Sequence, residues 1–172
     1  MSYHYKAIYE KQAQFYNKRP VAKQILVLAH LLLTWLFVFG YAVRWLKLIT
    51  AETFLPMEGF RALFPLAICF LTVTALRMML DRARPYAEDG AGITPLIKRK
   101  KTDRNSCPSR HLACAVTIAL ICWHFSKVEG IVLLVASLGM GYTRFATGLH
   151  YLSDLLIGGA VGLACGILTF IL

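Results

Sequence analysis

Apolar residues gather in long runs along the chain, and charged residues interrupt these runs mainly at their ends. The clearest run extends from Gln24 to Val43, between Lys23 and Arg44. Its length is about the 20 residues that a helix needs to cross a bilayer. Shorter runs follow in the middle and at the end of the chain. The pattern predicts five transmembrane helices, at about residues 23–45, 58–80, 110–126, 129–146 and 151–172.

Composition decides between a membrane protein and a soluble helical protein, because the shorter apolar runs alone are more typical of soluble cores. The chain is 58% apolar and only 16% charged, whereas an average soluble domain has about 25% charged residues. This composition argues against a disordered chain and against a soluble nucleic-acid-binding domain, so we expect no nucleic acid as a partner. The predicted fold class is all-α: a polytopic membrane helical bundle that forms a single domain over residues 1–172.

The two ends of the chain carry weaker signals. Residues 1–22 combine aromatic side chains with lysine and glutamine, which suits a helix lying in the membrane interface, although a disordered basic tail also fits. The last predicted helix has Gly158, Gly162 and Gly166 at four-residue intervals, so one of its faces lets another helix approach closely. Loose helix packing and a dimer seam both explain that face, and the oligomeric state stays open.

Ionisable residues inside or beside membrane helices are candidates for function, and here they gather at predicted helix ends. In an up-and-down bundle, the second predicted helix ends where the third begins, and the fourth ends where the fifth begins, all at one membrane face. The polar residues at these ends are Arg77, Arg82, Arg84, Ser109, Arg110, His111, Arg144, His150 and Asp154. We therefore predict one polar mouth, in which Arg82 alone is interpreted as an anchor to lipid headgroups.

The residue types at this mouth predict phosphoryl transfer. His150 and Asp154 lie four residues apart, so on one helix face the carboxylate would orient the ring and leave its other nitrogen free as a nucleophile. The arginines and the helix-start hydroxyl of Ser109 suit a phosphate dianion, and His111 is available as a general acid. A metal held by His150 and Asp154 is the alternative, but the arginines would repel a cation, so we expect no metal and no cofactor.

Three short patterns occur in order and carry a family resemblance. They are Arg77-x6-Arg84-Pro85, then Pro108-Ser109-Arg110-His111, then Thr143-Arg144-x5-His150-x3-Asp154. Over residues 58–172 the chain resembles the type 2 phosphatidic acid phosphatase family, the membrane lipid phosphatases related to glucose-6-phosphatase and vanadium haloperoxidases. The motifs of that family are Lys-x6-Arg-Pro, Pro-Ser-Gly-His and Ser-Arg-x5-His-x3-Asp. The chain departs from them at Arg77, Arg110 and Thr143, which replace Lys, Gly and Ser.

The resemblance implies a role for each matching residue. His150 would be the nucleophile, Asp154 its partner and His111 the general acid, with no metal in the mechanism. The phosphate-binding side chains would be Arg77, Arg84, Ser109 and Arg144. Arg110, in place of glycine, would contact the phosphate or a second phosphate of the substrate, or would partly fill the pocket.

The expected function is hydrolysis of a lipid phosphate, a monoester or a diphosphate, through a phosphohistidine. Phosphatidic acid, phosphatidylglycerophosphate, an isoprenyl diphosphate and lipid A are the substrates considered. The alternatives are a lipid phosphotransferase, which passes the phosphoryl group to an acceptor other than water, and a non-catalytic protein that binds anionic lipids.

Charge predicts the orientation in the membrane. The net charge is +10, and of the 19 lysines and arginines, 15 fall on the face of the mouth and four on the other face. The positive-inside rule therefore places the N-terminus and the mouth in the cytoplasm of a multi-pass cell-membrane protein. The resemblance favours the opposite side, because such lipid phosphatases commonly face outward. The basic run at residues 98–101 suits anionic headgroups on either side.

Overall fold

The computed structural model describes residues 2–51, 55–87, 93–97 and 104–172, with side chains described from residue 5 onward. These ranges contain helices and connecting segments and no β-strand. The helices are α1 (Ser2–Asn17), α2 (Pro20–Ile49), α3 (Pro56–Leu80), α4 (Arg110–Phe125), α5 (Lys127–Ala146) and α6 (Leu152–Ile171). The all-α helical bundle expected from the apolar runs is confirmed, and each predicted span corresponds to one of the helices α2 to α6.

Helices α2, α3, α5 and α6 are long and apolar enough to cross a membrane, whereas α4 is shorter. Its 16 residues span about 24 Å at 1.5 Å per residue, less than the roughly 30 Å of hydrocarbon in a bilayer. Helix α4 packs against α2, α3, α5 and α6, and eight of its side chains are buried. Because protein rather than lipid surrounds α4, its length need not match the bilayer.

The glycine face of α6 packs against α4 within the chain. A Cβ added at Gly158 would lie 2.7 Å from the carbonyl oxygen of Ser109, and one at Gly162 would lie 2.4 Å from that of Ala113. A Cβ at Gly166 would clash with Leu120 at 2.5 Å. The expected close approach of another helix is confirmed, and the neighbour is α4 of the same chain. These glycines therefore form neither a loose contact nor a dimer seam.

Helix α1 lies at the same end of the bundle as the predicted mouth. Tyr5 and Tyr9 are buried there in an apolar cluster that includes Leu149 and Tyr151. The N-terminal segment is therefore helical in this structure, as the interfacial interpretation expected, and it is not a disordered tail. The basic run at residues 98–101 falls outside the described residues.

Candidate active site

The C-terminal ends of α3 and α5 and the N-terminal ends of α4 and α6 meet at one end of the bundle, as predicted. The backbone N–H of Ser109 donates to the carbonyl oxygen of Asp154 at 2.9 Å, which ties the start of α4 to the start of α6. The Nε of Arg77, near the end of α3, donates to the carbonyl oxygen of Pro108 at 3.1 Å. These bonds close the mouth into one polar site.

His150 and Asp154 are paired, but not along a helix face. Helix α6 begins at Leu152, so His150 precedes the helix, and the predicted shared helix face is wrong. Instead, Asp154 accepts a hydrogen bond from the backbone N–H of Tyr151 at 3.0 Å, which bends the chain back over the helix start. This brings the Nδ1 of His150 to 3.6 Å from the Oδ2 of Asp154.

The imidazole of His150 is neutral at physiological pH. The side chain is only 1% exposed, and burial lowers the pKa of His150 to about 4, against the opposing effect of Asp154. The positive charges of Arg84 and Arg144 lower the pKa further. A neutral ring whose Nδ1 faces a carboxylate has its Nε2 available as a nucleophile.

Ser106 joins this pair, and no sequence pattern predicted it. Its hydroxyl donates to the Oδ2 of Asp154 and lies 3.5 Å from the Nδ1 of His150. The backbone N–H of Ser106 donates to the carbonyl oxygen of Arg82 at 2.9 Å. The one signal in the sequence was its position just before the second motif, three residues ahead of Ser109.

Arg82 also belongs to the site, so its interpretation as a headgroup anchor is wrong. Its Nη1 donates to the Oδ1 of Asp154 at 2.9 Å and to the Oγ of Ser153 at 2.8 Å. Its guanidinium lies over the ring of Tyr151, 4.3 Å from the centroid. Because Asp154 is completely buried, the carboxylate needs a cationic partner of this kind.

Three other arginines at the mouth donate to neutral oxygens. The Nε of Arg77 bonds to a backbone carbonyl, as described above, and the Nη1 of Arg84 donates to the carbonyl oxygen of Leu149 at 3.2 Å. The Nη1 of Arg84 also lies 3.5 Å from the Nε2 of His150. The Nη2 of Arg144 donates to the Oγ1 of Thr34, on α2, at 3.1 Å. Neutral acceptors fix the guanidinium groups of Arg77 and Arg84 without cancelling their charge.

Ser109, Arg110 and His111 stand at the start of α4, but they differ in their surroundings. The Oγ of Ser109 is buried and has no hydrogen-bond partner among the described residues, which leaves it available to a ligand. The His111 side chain is exposed. The guanidinium of Arg110 lies over the ring of Phe70, on α3, 4.7 Å from the centroid. Arg110 thus contacts a residue, Phe70, that was not among the predicted site residues.

Metal ligation was the alternative for this constellation. In the part of the chain that the structure describes, no three His, Cys, Asp or Glu side chains are grouped so that they would hold a metal ion. The carboxylate of Asp154 is instead occupied by Ser106, Tyr151 and Arg82.

An apolar groove of about 260 Å³ lies beside the site, between α5 and α6 and over α4. Three of its lining residues directly follow candidate site residues in the chain: Leu112 after His111, Phe145 after Arg144, and Leu155 after Asp154. The groove therefore reaches the level of the polar mouth along α4, α5 and α6.

Two solved structures share this architecture. The crystal structure of LpxE from Aquifex aeolicus is 21% identical, with a TM-score of 0.72, and the match covers 95% of this chain and 94% of that chain. A transmembrane PAP2-type phosphatidylglycerolphosphate phosphatase from Bacillus subtilis is 20% identical, with a TM-score of 0.66, and the match covers 97% and 83% of the two chains. No curated protein matches this chain. The PAP2 superfamily model matches residues 58–172, two thirds of the chain with all eight predicted site residues, and the chain therefore belongs to the PAP2 superfamily.

Proposed function

We propose that this protein is a membrane lipid phosphate phosphatase that acts through a phosphohistidine on His150. The observation that carries the proposal is the set formed by Arg77 and Arg84, which donate to neutral oxygens beside a neutral, buried imidazole. Such a set keeps its positive charge for a phosphate dianion. Membership of the PAP2 superfamily supports the same activity.

In the first half of the reaction, the arginines and the Oγ of Ser109 bind the phosphate oxygens. The Nε2 of His150 attacks the phosphorus as the bond from phosphorus to the lipid oxygen breaks. His111 donates a proton to that departing oxygen. Negative charge on the equatorial oxygens of the transition state faces fixed guanidinium groups, which is the main catalytic contribution that a protein makes to phosphoryl transfer.

In the second half, water replaces the lipid. His111, now neutral, takes a proton from the water as its oxygen attacks the phosphorus, and the bond from phosphorus to the Nε2 of His150 breaks. The electron pair returns to the imidazole, and inorganic phosphate leaves. Asp154 balances the positive charge that the ring carries while it is phosphorylated, and Ser106 and Arg82 hold Asp154 in position.

The proposed substrate is an amphiphile whose phosphate lies in the mouth and whose hydrocarbon chain lies in the groove between α5 and α6. The groove is lined by the residues that follow His111, Arg144 and Asp154 in the chain. The headgroup of one lipid can therefore lie in the mouth while its hydrocarbon chain lies in the groove. The Bacillus subtilis neighbour is named a phosphatidylglycerolphosphate phosphatase, and a lipid phosphate of that class, phosphatidic acid, an isoprenyl diphosphate and lipid A are the candidates here.

Arg110 is proposed to select among these substrates. Its guanidinium lies over the ring of Phe70, and none of the hydrogen bonds described for His150 involves Arg110. We therefore assign it to a second anionic group rather than to the reacting phosphate. Replacing Arg110 with glycine should lower the rate for diphosphate lipids more than the rate for monophosphate lipids. An unchanged ratio of the two rates would exclude this role.

The mouth is proposed to face the cytoplasm, where anionic headgroups would meet its basic surroundings. After removal of Arg77, Arg84, Arg110 and Arg144, which the site explains, the count of basic residues is still 11 on the face of the mouth against four on the other. The side chain of Thr94 is exposed near the mouth, so Thr94→Cys in a labelling experiment reports the side. Labelling by a membrane-impermeant reagent in intact cells, beyond the labelling of the wild type, would contradict the cytoplasmic assignment.

The activity is tested with purified protein in detergent, a lipid phosphate panel and a chelator present. His150→Ala should abolish phosphate release, whereas His124→Ala, which changes a histidine at the opposite end of α4, should leave it. Activity that persists in His150→Ala would exclude the phosphohistidine mechanism. Transfer of labelled phosphoryl groups to an acceptor without phosphate release would identify a phosphotransferase, and lipid binding without turnover would identify a non-catalytic protein.

A further inference from the structure

Helix α1 contacts the turn between α5 and α6, residues 147–151, which carries His150. The hydroxyl of Tyr5 donates to the carbonyl oxygen of His150 at 3.3 Å. The ring of Tyr5 packs edge-on against Tyr151, with centroids 4.8 Å apart, and against Phe145 at 5.6 Å. A residue near the N-terminus therefore contacts the backbone of the proposed nucleophile directly.

A second contact holds α1 in this position. The hydroxyl of Tyr9 donates to the carbonyl oxygen of Thr94 at 2.8 Å, and the backbone N–H of Leu96 in turn donates to the carbonyl oxygen of Thr147 at 3.2 Å. Gly148 has a φ of +77°, and a Cβ there would lie 2.8 Å from the ring of Tyr9. Helix α1 thus packs on the backbone of the turn where only glycine leaves room.

We propose that Tyr5 is a positioning residue for the nucleophile, an inference that rests on the proposed function of His150. Two successive backbone oxygens of the turn are held by side chains: that of Leu149 by Arg84 and that of His150 by Tyr5. Together they set the direction in which the imidazole leaves the backbone. The rate of nucleophilic attack depends on the position of the attacking nitrogen to within fractions of an ångström.

The surroundings of Tyr5 suit a permanent donor. The side chain is buried, and burial raises the pKa of Tyr5, so the phenol keeps the proton that it donates. Helix α1 lies outside residues 58–172, which the superfamily model matches, and none of the three motifs includes it. The role of Tyr5 therefore follows from its contacts alone.

The test is Tyr5→Phe, which removes the hydroxyl and keeps the ring. Tyr16→Phe is the matched control, because Tyr16 lies on the same helix and its hydroxyl bonds to that of Tyr142, on α5, at 2.8 Å. The two tyrosines are about 16 Å apart along α1 at 1.5 Å per residue. For Tyr5→Phe we expect kcat/KM to fall about fivefold, the effect of one hydrogen bond, while Tyr16→Phe stays within about twofold of the wild type.

Inhibition constants separate positioning from a loss of folded protein, because they do not depend on the active fraction. Orthovanadate resembles the five-coordinate transition state and requires a correctly placed Nε2 of His150, whereas inorganic phosphate requires only the arginines and Ser109. In Tyr5→Phe the inhibition constant for orthovanadate should rise by about the same factor as kcat/KM falls. The inhibition constant for phosphate should not change.

Two outcomes would overturn the proposal. One is a Tyr5→Phe enzyme whose kcat/KM equals that of Tyr16→Phe. The other is a loss of kcat/KM with an unchanged inhibition constant for orthovanadate, which would indicate only a smaller folded fraction. The absence of phosphate release from the wild-type protein would instead refute the proposed function, so the two failures are distinguishable.

Discussion

Replacing Arg82 with alanine should destabilise the protein, although Arg82 is not one of the predicted phosphate-binding residues. The change deletes the bonds from Nη1 to Asp154 at 2.9 Å and to Ser153 at 2.8 Å. Asp154 is completely buried, so one of its carboxylate oxygens would lose a partner that water does not readily replace. A hydrogen bond to a charged group contributes about 1.5–3 kcal/mol. The Arg82 side chain is 33% exposed, so solvent screens part of its interaction with Asp154. We therefore expect Arg82→Ala to lower the free energy of unfolding by about 2 kcal/mol.

The measurement is thermal unfolding of the purified protein in detergent, followed by circular dichroism. A loss of about 2 kcal/mol should lower Tm by about 4–8 °C in a chain of this size. The control is Arg104→Ala, because Arg104 also pairs with an aspartate, Asp81, but both side chains are more than half exposed. Such a pair contributes about 0–1 kcal/mol. An Arg82→Ala protein no less stable than Arg104→Ala would refute the argument that burial of Asp154 makes Arg82 necessary.

The remaining predictions concern the groove, the glycine face and pH. Gly141→Phe should raise KM for a long-chain phosphatidic acid about tenfold, the effect of displacing roughly two methylene groups, with KM for a short-chain substrate unchanged. Its control is Gly159→Phe, since a Cβ at Gly159 meets nothing within 4 Å; equal effects would exclude the groove as a chain-binding site. Gly162→Ala should lower Tm, because its Cβ would lie 2.4 Å from a backbone oxygen of Ala113, whereas Gly159→Ala should not. Because the pKa of His150 is lowered to about 4, the unfolded state binds the extra proton between that pH and about 6.5. As the pH is lowered through this window, the free energy of unfolding should therefore decrease by more in the wild type than in His150→Gln. Parallel stability curves for the two proteins would contradict this prediction.

The helices of the bundle were predictable because long apolar runs bounded by charges correspond closely to membrane helices. The short length of α4, and the helix against which the α6 glycines pack, could not be predicted in this way. A bare face such as that of Gly158 and Gly162 shows that something approaches closely, but the sequence does not say whether the neighbour is in the same chain. The answer depends on α4 lying at the centre of the bundle, which is a property of the packing of all the helices.

The sequence predicted the site residues that belong to spaced motifs, but not those that join the site through contacts between distant parts of the chain. His150 and Asp154 were paired correctly, yet the pairing relies on Tyr151 capping α6 rather than on helical periodicity. Ser106 and Arg82 reach Asp154 across 48 and 72 residues of sequence. No local pattern distinguishes an arginine that pairs with a buried carboxylate from one that reaches lipid headgroups, because both stand at a helix end.

In the proposed mechanism, the arginines of the mouth act on His150 as well as on the phosphate of the substrate. Burial and the charges of Arg84 and Arg144 lower the pKa of His150, while Asp154 raises it. The ring is therefore unprotonated, and able to attack, before a substrate binds. A phosphate dianion lying against the same guanidinium groups cancels part of their field, at the moment when the imidazole must accept positive charge by bonding to phosphorus. Neutral hydrogen-bond donors could contact the phosphate oxygens in the same geometry, but burial alone would then oppose the effect of Asp154 on the pKa of His150. Neutral donors would also carry no charge that a bound phosphate could offset when the ring becomes positive.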